Sequence, residues 1–205
     1  MKTSLVLFDA AGVLFPANKV VGETVQKEFG LSEEELSEFW HNGLYHELTV
    51  GRITTEDLLK AFAKTYNLPQ EKVTKELFVG AFTKSLSPMP GIRDLIERLK
   101  KTGVKLALLS DTTEMYADIR HELGYYEPFE KLFFSYDIGF RKPDPQAYQA
   151  VIDHYGVPAS EIFFIDDIAK NVEAAKNQGM RAVVFTGTPQ LEKDLAAAGI
   201  LSSEK

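Results

Sequence analysis

The sequence predicts an α/β protein: a doubly wound, mostly parallel sheet of Rossmann-like type, interrupted by a small α-helical subdomain. Three observations predict it. Leu5-Val6-Leu7-Phe8 is an unbroken apolar run, the pattern of a strand buried on both faces, and it leads directly into Asp9. From residue 87 onward, short apolar runs alternate with helical patterns in the manner of βα units. Between these regions apolar residues recur at helical spacing and no convincing strand occurs. We therefore expect an α/β core formed by residues 1–15 and 87–205, with residues 16–86 as a helical cap.

Within the cap stretch, Val21, Val25 and Phe29 share a helix face and Gly30 offers a stop. Ser32, with Glu35 three residues later, is a capping box for a second helix carrying Leu36, Phe39 and Trp40. Thr54 or Thr55 opens a third through Leu58, Leu59, Phe62 and Ala63, and Pro69 is expected to start a fourth with Val73, Leu77, Phe78 and Phe82. Helical spacing alone accounts for the aromatics as core. Ser87-Pro88-Met89-Pro90-Gly91 reads as a hinge back to the main domain. Beyond it a helical pattern begins at Ile92, and an apolar strand from Val104 ends in Ser110-Asp111-Thr112. A helix from Glu114, a short strand at Lys131 and a long loop holding Arg141-Lys142-Pro143-Asp144-Pro145 come next. A helix from about Gln146 precedes Ile162-Phe163-Phe164-Ile165, which ends in Asp166-Asp167. A helix from Ala169, a strand near Ala182 and a helix near Leu191 complete the pattern.

Composition narrows the function classes. The chain has 205 residues, 44% hydrophobic and 26% charged, which is globular rather than disordered. A net charge of −7 speaks against a general nucleic-acid binder, because no Lys/Arg cluster could neutralise a run of phosphates. There is no cysteine, so disulfides and thiolate metal sites are excluded, and a cytoplasmic location is expected. Lys2 and the short apolar run have the outline of a secretion signal, but Asp9 interrupts it and no small-residue cleavage site follows cleanly. No segment approaches the length of a membrane span, so no membrane association is expected.

Parallel connection places the C-terminal tips of the strands on one edge of the sheet, where open α/β sheets bind ligands. Asp9, Ser110-Asp111 and Asp166-Asp167 are all at such tips. Clustered carboxylates are costly unless a cation shares the site, and an all-oxygen set without nearby histidine favours Mg²⁺. Lys142 is a point charge suited to phosphate, Ser110 supplies a hydroxyl, and the helix after it supplies free N–H groups. Together these describe phosphoryl transfer through an aspartyl-phosphate. Each piece has a plainer reading. Asp9 can begin a turn, Lys142 can be a solvated lysine, Ser110-Asp111-Thr112 can be an N-cap, and Asp166-Asp167 can be a cap with a dipole partner.

At this point the chain resembles the haloacid dehalogenase superfamily of phosphatases and related hydrolases. Phe8-Asp9-Ala10-Ala11-Gly12-Val13-Leu14 is similar to the first motif of that family, Ser110 to the second, Lys142 in Lys-Pro-Asp-Pro to the third, and Phe164-Ile165-Asp166-Asp167 through Asn171 to the fourth. The resemblance implies that Asp9 attacks phosphorus while Ser110, Asp111 and Lys142 bind phosphate. It also implies that Mg²⁺ is held by Asp9, the Ala11 carbonyl and the fourth-motif acids, with Asp167 as direct ligand and Asp166 as helper. The substrate class implied is a small phosphorylated metabolite.

Ala11 departs from the family pattern, in which a second aspartate protonates the leaving oxygen and then activates water. A slow phosphatase or a non-catalytic binder is therefore expected. Relatives with alanine at this position include phosphonoacetaldehyde hydrolases, which use a cap lysine, but residues 42–55 contain none. Metal-free dehalogenases lack the paired acids present here as Asp166 and Asp167. His46 is a candidate surrogate acid or base from the cap, with a helix-surface histidine as the plainer reading. Tyr45 and Arg52 are further guesses at cap contacts.

Overall fold

A computed structural model describes residues 2–16, 20–84 and 86–202. Strand β1 (Leu5–Phe8) is followed by five helices: α1 (Val20–Phe29), α2 (Glu33–His41), α3 (Leu44–Thr49), α4 (Thr55–Thr65) and α5 (Lys75–Thr83). The remainder alternates: α6 (Ile92–Lys101), β2 (Lys105–Ser110), α7 (Glu114–Glu122), β3 (Lys131–Phe134), α8 (Ser135–Ile138), α9 (Pro145–Tyr155), β4 (Ile162–Asp166), α10 (Ala169–Asn177), β5 (Arg181–Val184) and α11 (Thr188–Ala197). The strand order is β3-β2-β1-β4-β5, and every pairing is parallel. The sheet is thus wholly rather than mostly parallel among the described residues.

Period-two alternation sends the apolar side chains of β1 to opposite faces. Val6 and Phe8 join a cluster with Ile92, Leu95 and Leu99 of α6 and Leu191 and Leu195 of α11. Leu5 and Leu7 join another with Tyr148 and Val151 of α9 and Ala175 of α10. Helices on both faces leave no side of β1 wet, which is why its sequence is apolar without alternation.

Helices α1–α5 build a third cluster around Phe39, Phe62 and Phe78. Phe62 touches the rings of Phe29, Phe39, Trp40, Tyr66 and Phe78, so the aromatics of this stretch form its interior. Met115 of α7 completes the cluster and seats it on the α/β layer. The expected capping box of Ser32 with Glu35 forms before α2, and Thr54, one of the two threonines expected to open the next long helix, forms a second box with Asp57 before α4. Chain exit and return lie side by side, since the Met89 N–H donates to the Leu14 carbonyl at 2.8 Å.

Three local expectations are corrected. Pro69 opens only a 3-10 turn over Gln70–Lys72, and the fourth long helix begins at Lys75 under a Thr74 cap. The segment after α2 contains α3, started by Gly43 in the left-handed region. The long loop after β3 opens with the short helix α8 and ends where Asp144 caps α9. Residues 17–19, 85 and 203–205, which belong to the expected cap boundaries and tail, lie outside the described residues.

Candidate active site

The site is built from strand register. Phe8 pairs with both Leu108 and Ile165, so Asp9, Ser110 and Asp166 emerge together at the C-terminal edge. The Asp9 N–H donates to the Ile165 carbonyl at 2.9 Å, which extends the ladder one residue and fixes the carboxylate just beyond it. The following turn is compact: the Ala10 carbonyl accepts from Leu14 at 2.8 Å, and Gly12 takes φ +85°.

Lys142 is the organising cation. Its Nζ lies 2.7 Å from Asp9 Oδ1 and 2.7 Å from Asp166 Oδ2, and its side chain is 2% exposed. It is therefore not a solvated surface lysine. Burial alone would lower its ammonium, but the carboxylates of Asp9, Asp166 and Asp111 outweigh burial and hold it above its ordinary value. Its loop is held in turn by Asp111, whose Oδ1 accepts from the Lys142 main-chain N–H at 3.1 Å and whose Oδ2 is 3.7 Å from Arg141 Nε. The Asp111 carboxylate thus faces the lysine loop, and a phosphate would meet repulsion rather than donors from that side chain.

Asp166 is fully buried and saturated. It accepts from Lys142, from the Ile168 N–H at 2.8 Å, and from Asn171 Nδ2 at 3.1 Å to each oxygen. Asp167 has no such company: its Oδ1 is buried without a hydrogen-bond partner. Its carboxylate occupies the space beside Gly12, where a Cβ would fall 2.1 Å from Oδ2. Burial, reinforced by Asp166, raises the Asp167 carboxyl. Asp9 is pushed up to about 7, mainly by burial and further by Asp166, with Lys142 opposing.

Oxygens of Asp9, Asp166 and Asp167 lie within 4.8 Å of one another. One lysine faces these three carboxylates, and Asp167 Oδ1 lacks any donor. Excess negative charge, oxygen-only ligands and an orphaned buried oxygen fit a hard divalent cation such as Mg²⁺.

Ser110 Oγ is also buried and without a partner. The segment after it is clamped by Ser135, which donates to the Thr112 carbonyl at 3.2 Å and accepts from the Thr112 N–H at 3.1 Å. Helix α7 is capped at Thr113, so Ser110-Asp111-Thr112 precede the cap rather than form it. His46 is exposed on α3, and Arg52 pairs with Glu47 at 3.0 Å on the surface. Neither lines the cavity that opens above Ala11; Tyr45, Trp40 and His41 do. Thus His46 is not brought to the site.

The family model for haloacid dehalogenase-like hydrolases matches residues 3–179. The chain belongs to this hydrolase family. It is 28% identical over 213 residues to phosphatase MT3486 of Mycobacterium tuberculosis, covering 98% of this chain and 97% of that protein. It is also 28% identical over 187 residues to (S)-2-haloacid dehalogenase 4A of Burkholderia cepacia, covering 86% and 80%. A haloacid dehalogenase family enzyme of Bacteroides thetaiotaomicron, solved in complex with magnesium and inorganic phosphate, shares the fold with a TM-score of 0.75 at 19% identity, covering 90% of this chain and 95% of that one. No helix among the described residues of this family member is long and apolar enough to cross a membrane.

Two contributors escaped the sequence reading. Ser135 sits in a stretch read only as the edge of a loop, and no local signal marks its grip on Thr112. Arg120 lies within an ordinary amphipathic helix pattern, and only its burial to 5% exposure distinguishes it.

Proposed function

We propose that this protein is a Mg²⁺-dependent phosphatase of small phosphorylated metabolites, working through an aspartyl-phosphate on Asp9 and slowed by the alanine at position 11. The observation that carries the reading is the convergence of three carboxylates on one another, with Lys142 bridging two of them. Asp9 is the nucleophile, buried at a strand tip where its carboxylate is fixed before substrate arrives. Lys142 and Ser110 offer a cation and an unoccupied hydroxyl to the phosphoryl oxygens. Asp9, the Ala11 carbonyl, Asp167 and, less directly, Asp166 would hold the ion. When bound, Mg²⁺ supplies charge neutralisation at the phosphoryl group.

Asp166 orients Lys142 through their ion pair, while Asn171 and the Ile168 N–H keep Asp166 itself in place. Residues 16–86 act as a cap over this edge, and Ala11 faces the cavity between them. Alanine cannot protonate a leaving oxygen, so esters with good leaving groups are favoured.

The experiment compares aryl and alkyl phosphates with and without Mg²⁺, for the natural chain and for Ala11→Asp. The natural chain should cleave aryl phosphates far faster than alkyl ones. Ala11→Asp should raise alkyl-phosphate turnover by about 10²–10⁴-fold, the usual contribution of a positioned acid and base. A non-catalytic phosphate binder instead predicts no turnover and little gain in the variant. A metal-free hydrolase predicts activity that survives EDTA.

A further inference from the structure

The cavity above Ala11 encloses about 650 Å³, a size suited to a small ligand. Its floor includes Ala11, Asp111 and Thr112, the near neighbours of Asp9 and Ser110. Aromatic side chains wall it: Trp40, Tyr45, Phe82 and Tyr116. Among the charged residues that also line it, one is a buried cation. Arg120, a guanidinium with five N–H donors, is only 5% exposed.

A buried guanidinium ordinarily meets a carboxylate. Arg120 has no ion pair among the described residues. One terminal nitrogen donates to Thr112 Oγ1 at 3.3 Å, and its Nε is buried with no acceptor. The Tyr126 hydroxyl comes within hydrogen-bonding reach of the guanidinium but is poorly aligned with it. The rings of Phe82 and Phe15 lie 4.9 and 5.3 Å from the guanidinium carbon. Such contacts act on the face of the guanidinium and supply no acceptor to its in-plane Nε–H. The nearby Asp111 carboxylate is engaged by the Lys142 loop and Arg141. Glu23 and Glu33 also line the cavity but are solvent-exposed, where their repulsion of an anion is screened.

We propose that Arg120 is a specificity-determining residue that receives a compact anionic group, a carboxylate or a second phosphate, on the leaving group of an aromatic or similarly flat substrate. The reading rests on the phosphatase assignment of the same site. A substrate so built places one anion among Lys142, Ser110 and the acid cluster, lays its apolar body along the aromatic walls, and pairs the other anion with the Arg120 guanidinium.

The test uses phenyl phosphate, 4-carboxyphenyl phosphate and 1,4-phenylene bisphosphate as substrates, with the matching arylphosphonates as binding probes. In the natural chain a second anionic group should raise kcat/KM and probe affinity by about tenfold or more, the usual worth of a charge-assisted hydrogen bond. Whichever of the carboxylate and bisphosphate gains more identifies the anion. Arg120→Gln should abolish that ratio, and Arg120→Lys should restore part of it. A purely structural arginine would lower all substrates in proportion and leave the ratio intact, which overturns the proposal. Equal affinity of the natural chain for the probes overturns it without any variant, so a misfolded Arg120→Gln does not obscure the answer. Absence of turnover with an intact affinity ratio would instead count against the phosphatase reading alone.

Discussion

Gly12 offers a test of how the acid cluster is held, and the structure sets its magnitude. The residue takes φ +85°, so Gly12→Ala costs about 1–2 kcal/mol from the left-handed backbone alone. The new Cβ would lie 2.1 Å from Asp167 Oδ2 and 2.3 Å from its Cγ. The obstacle is the end of a rotatable side chain, so the fold can relieve the collision by swinging Asp167 aside. Stability therefore falls modestly, by about 2–4 °C per kcal/mol in a chain of this size. The metal site should suffer more, because a displaced carboxylate no longer shares the ion. We expect Mg²⁺ affinity to fall by at least the about 10–100-fold seen when an outer-shell partner of a ligand is disturbed. Calorimetric titration with MgCl₂, beside a thermal melt in EDTA, separates the two effects. A variant that loses stability yet binds Mg²⁺ as the natural chain does would refute the assignment of Asp167 as a ligand.

Lys142→Met leaves Asp9 and Asp166 facing each other with no cation, and breaking such a buried pair costs about 3–5 kcal/mol by urea titration in EDTA. Mg²⁺ should stabilise that variant more than the natural chain; equal stabilisation would contradict the shared charge balance. The capping carboxyl Glu35 is held below the usual 4.5 by the Ser32 N–H and hydroxyl. A lowered folded value contributes stability above the unfolded pKa and loses it as pH falls, so stability should decline below about pH 4.5. Ser32→Ala removes the hydroxyl but keeps the N–H, so it should flatten part of that decline in melts between pH 3 and 6 (roughly the carboxylate range), and an unchanged slope would contradict it.

The parallel sheet and the acid cluster at its edge were legible because burial on two faces forces continuous apolar strands, and three of those runs ended in polar residues: β1 at Asp9, β2 at Ser110-Asp111 and β4 at Asp166-Asp167. The caps of α2 and α4 were legible because capping is local chemistry: Ser32 and Thr54 speak for themselves. Short elements were not. Helix α3 has six residues, begins at a left-handed glycine, and is stabilised by packing rather than by its own pattern. The role of the Asp111 side chain depends on a loop 31 residues away, and that of Arg120 on rings contributed by Phe15 and Phe82. Side-chain direction of this kind is fixed by tertiary contacts and leaves no trace in spacing. For the same reason the sequence could name His46 as a possible acid or base from the cap but could not show that it faces solvent on α3.

The most direct measurement is the intact mass of the protein during turnover of an acyl phosphate with Mg²⁺. With no acid at position 11 to activate water, the second half-reaction should lag and one phosphoryl group should accumulate on Asp9. The adduct should vanish in EDTA and in Asp9→Asn. Turnover of that substrate by Asp9→Asn at the natural rate, or no adduct and no turnover in the natural chain with Mg²⁺ present, would contradict the account.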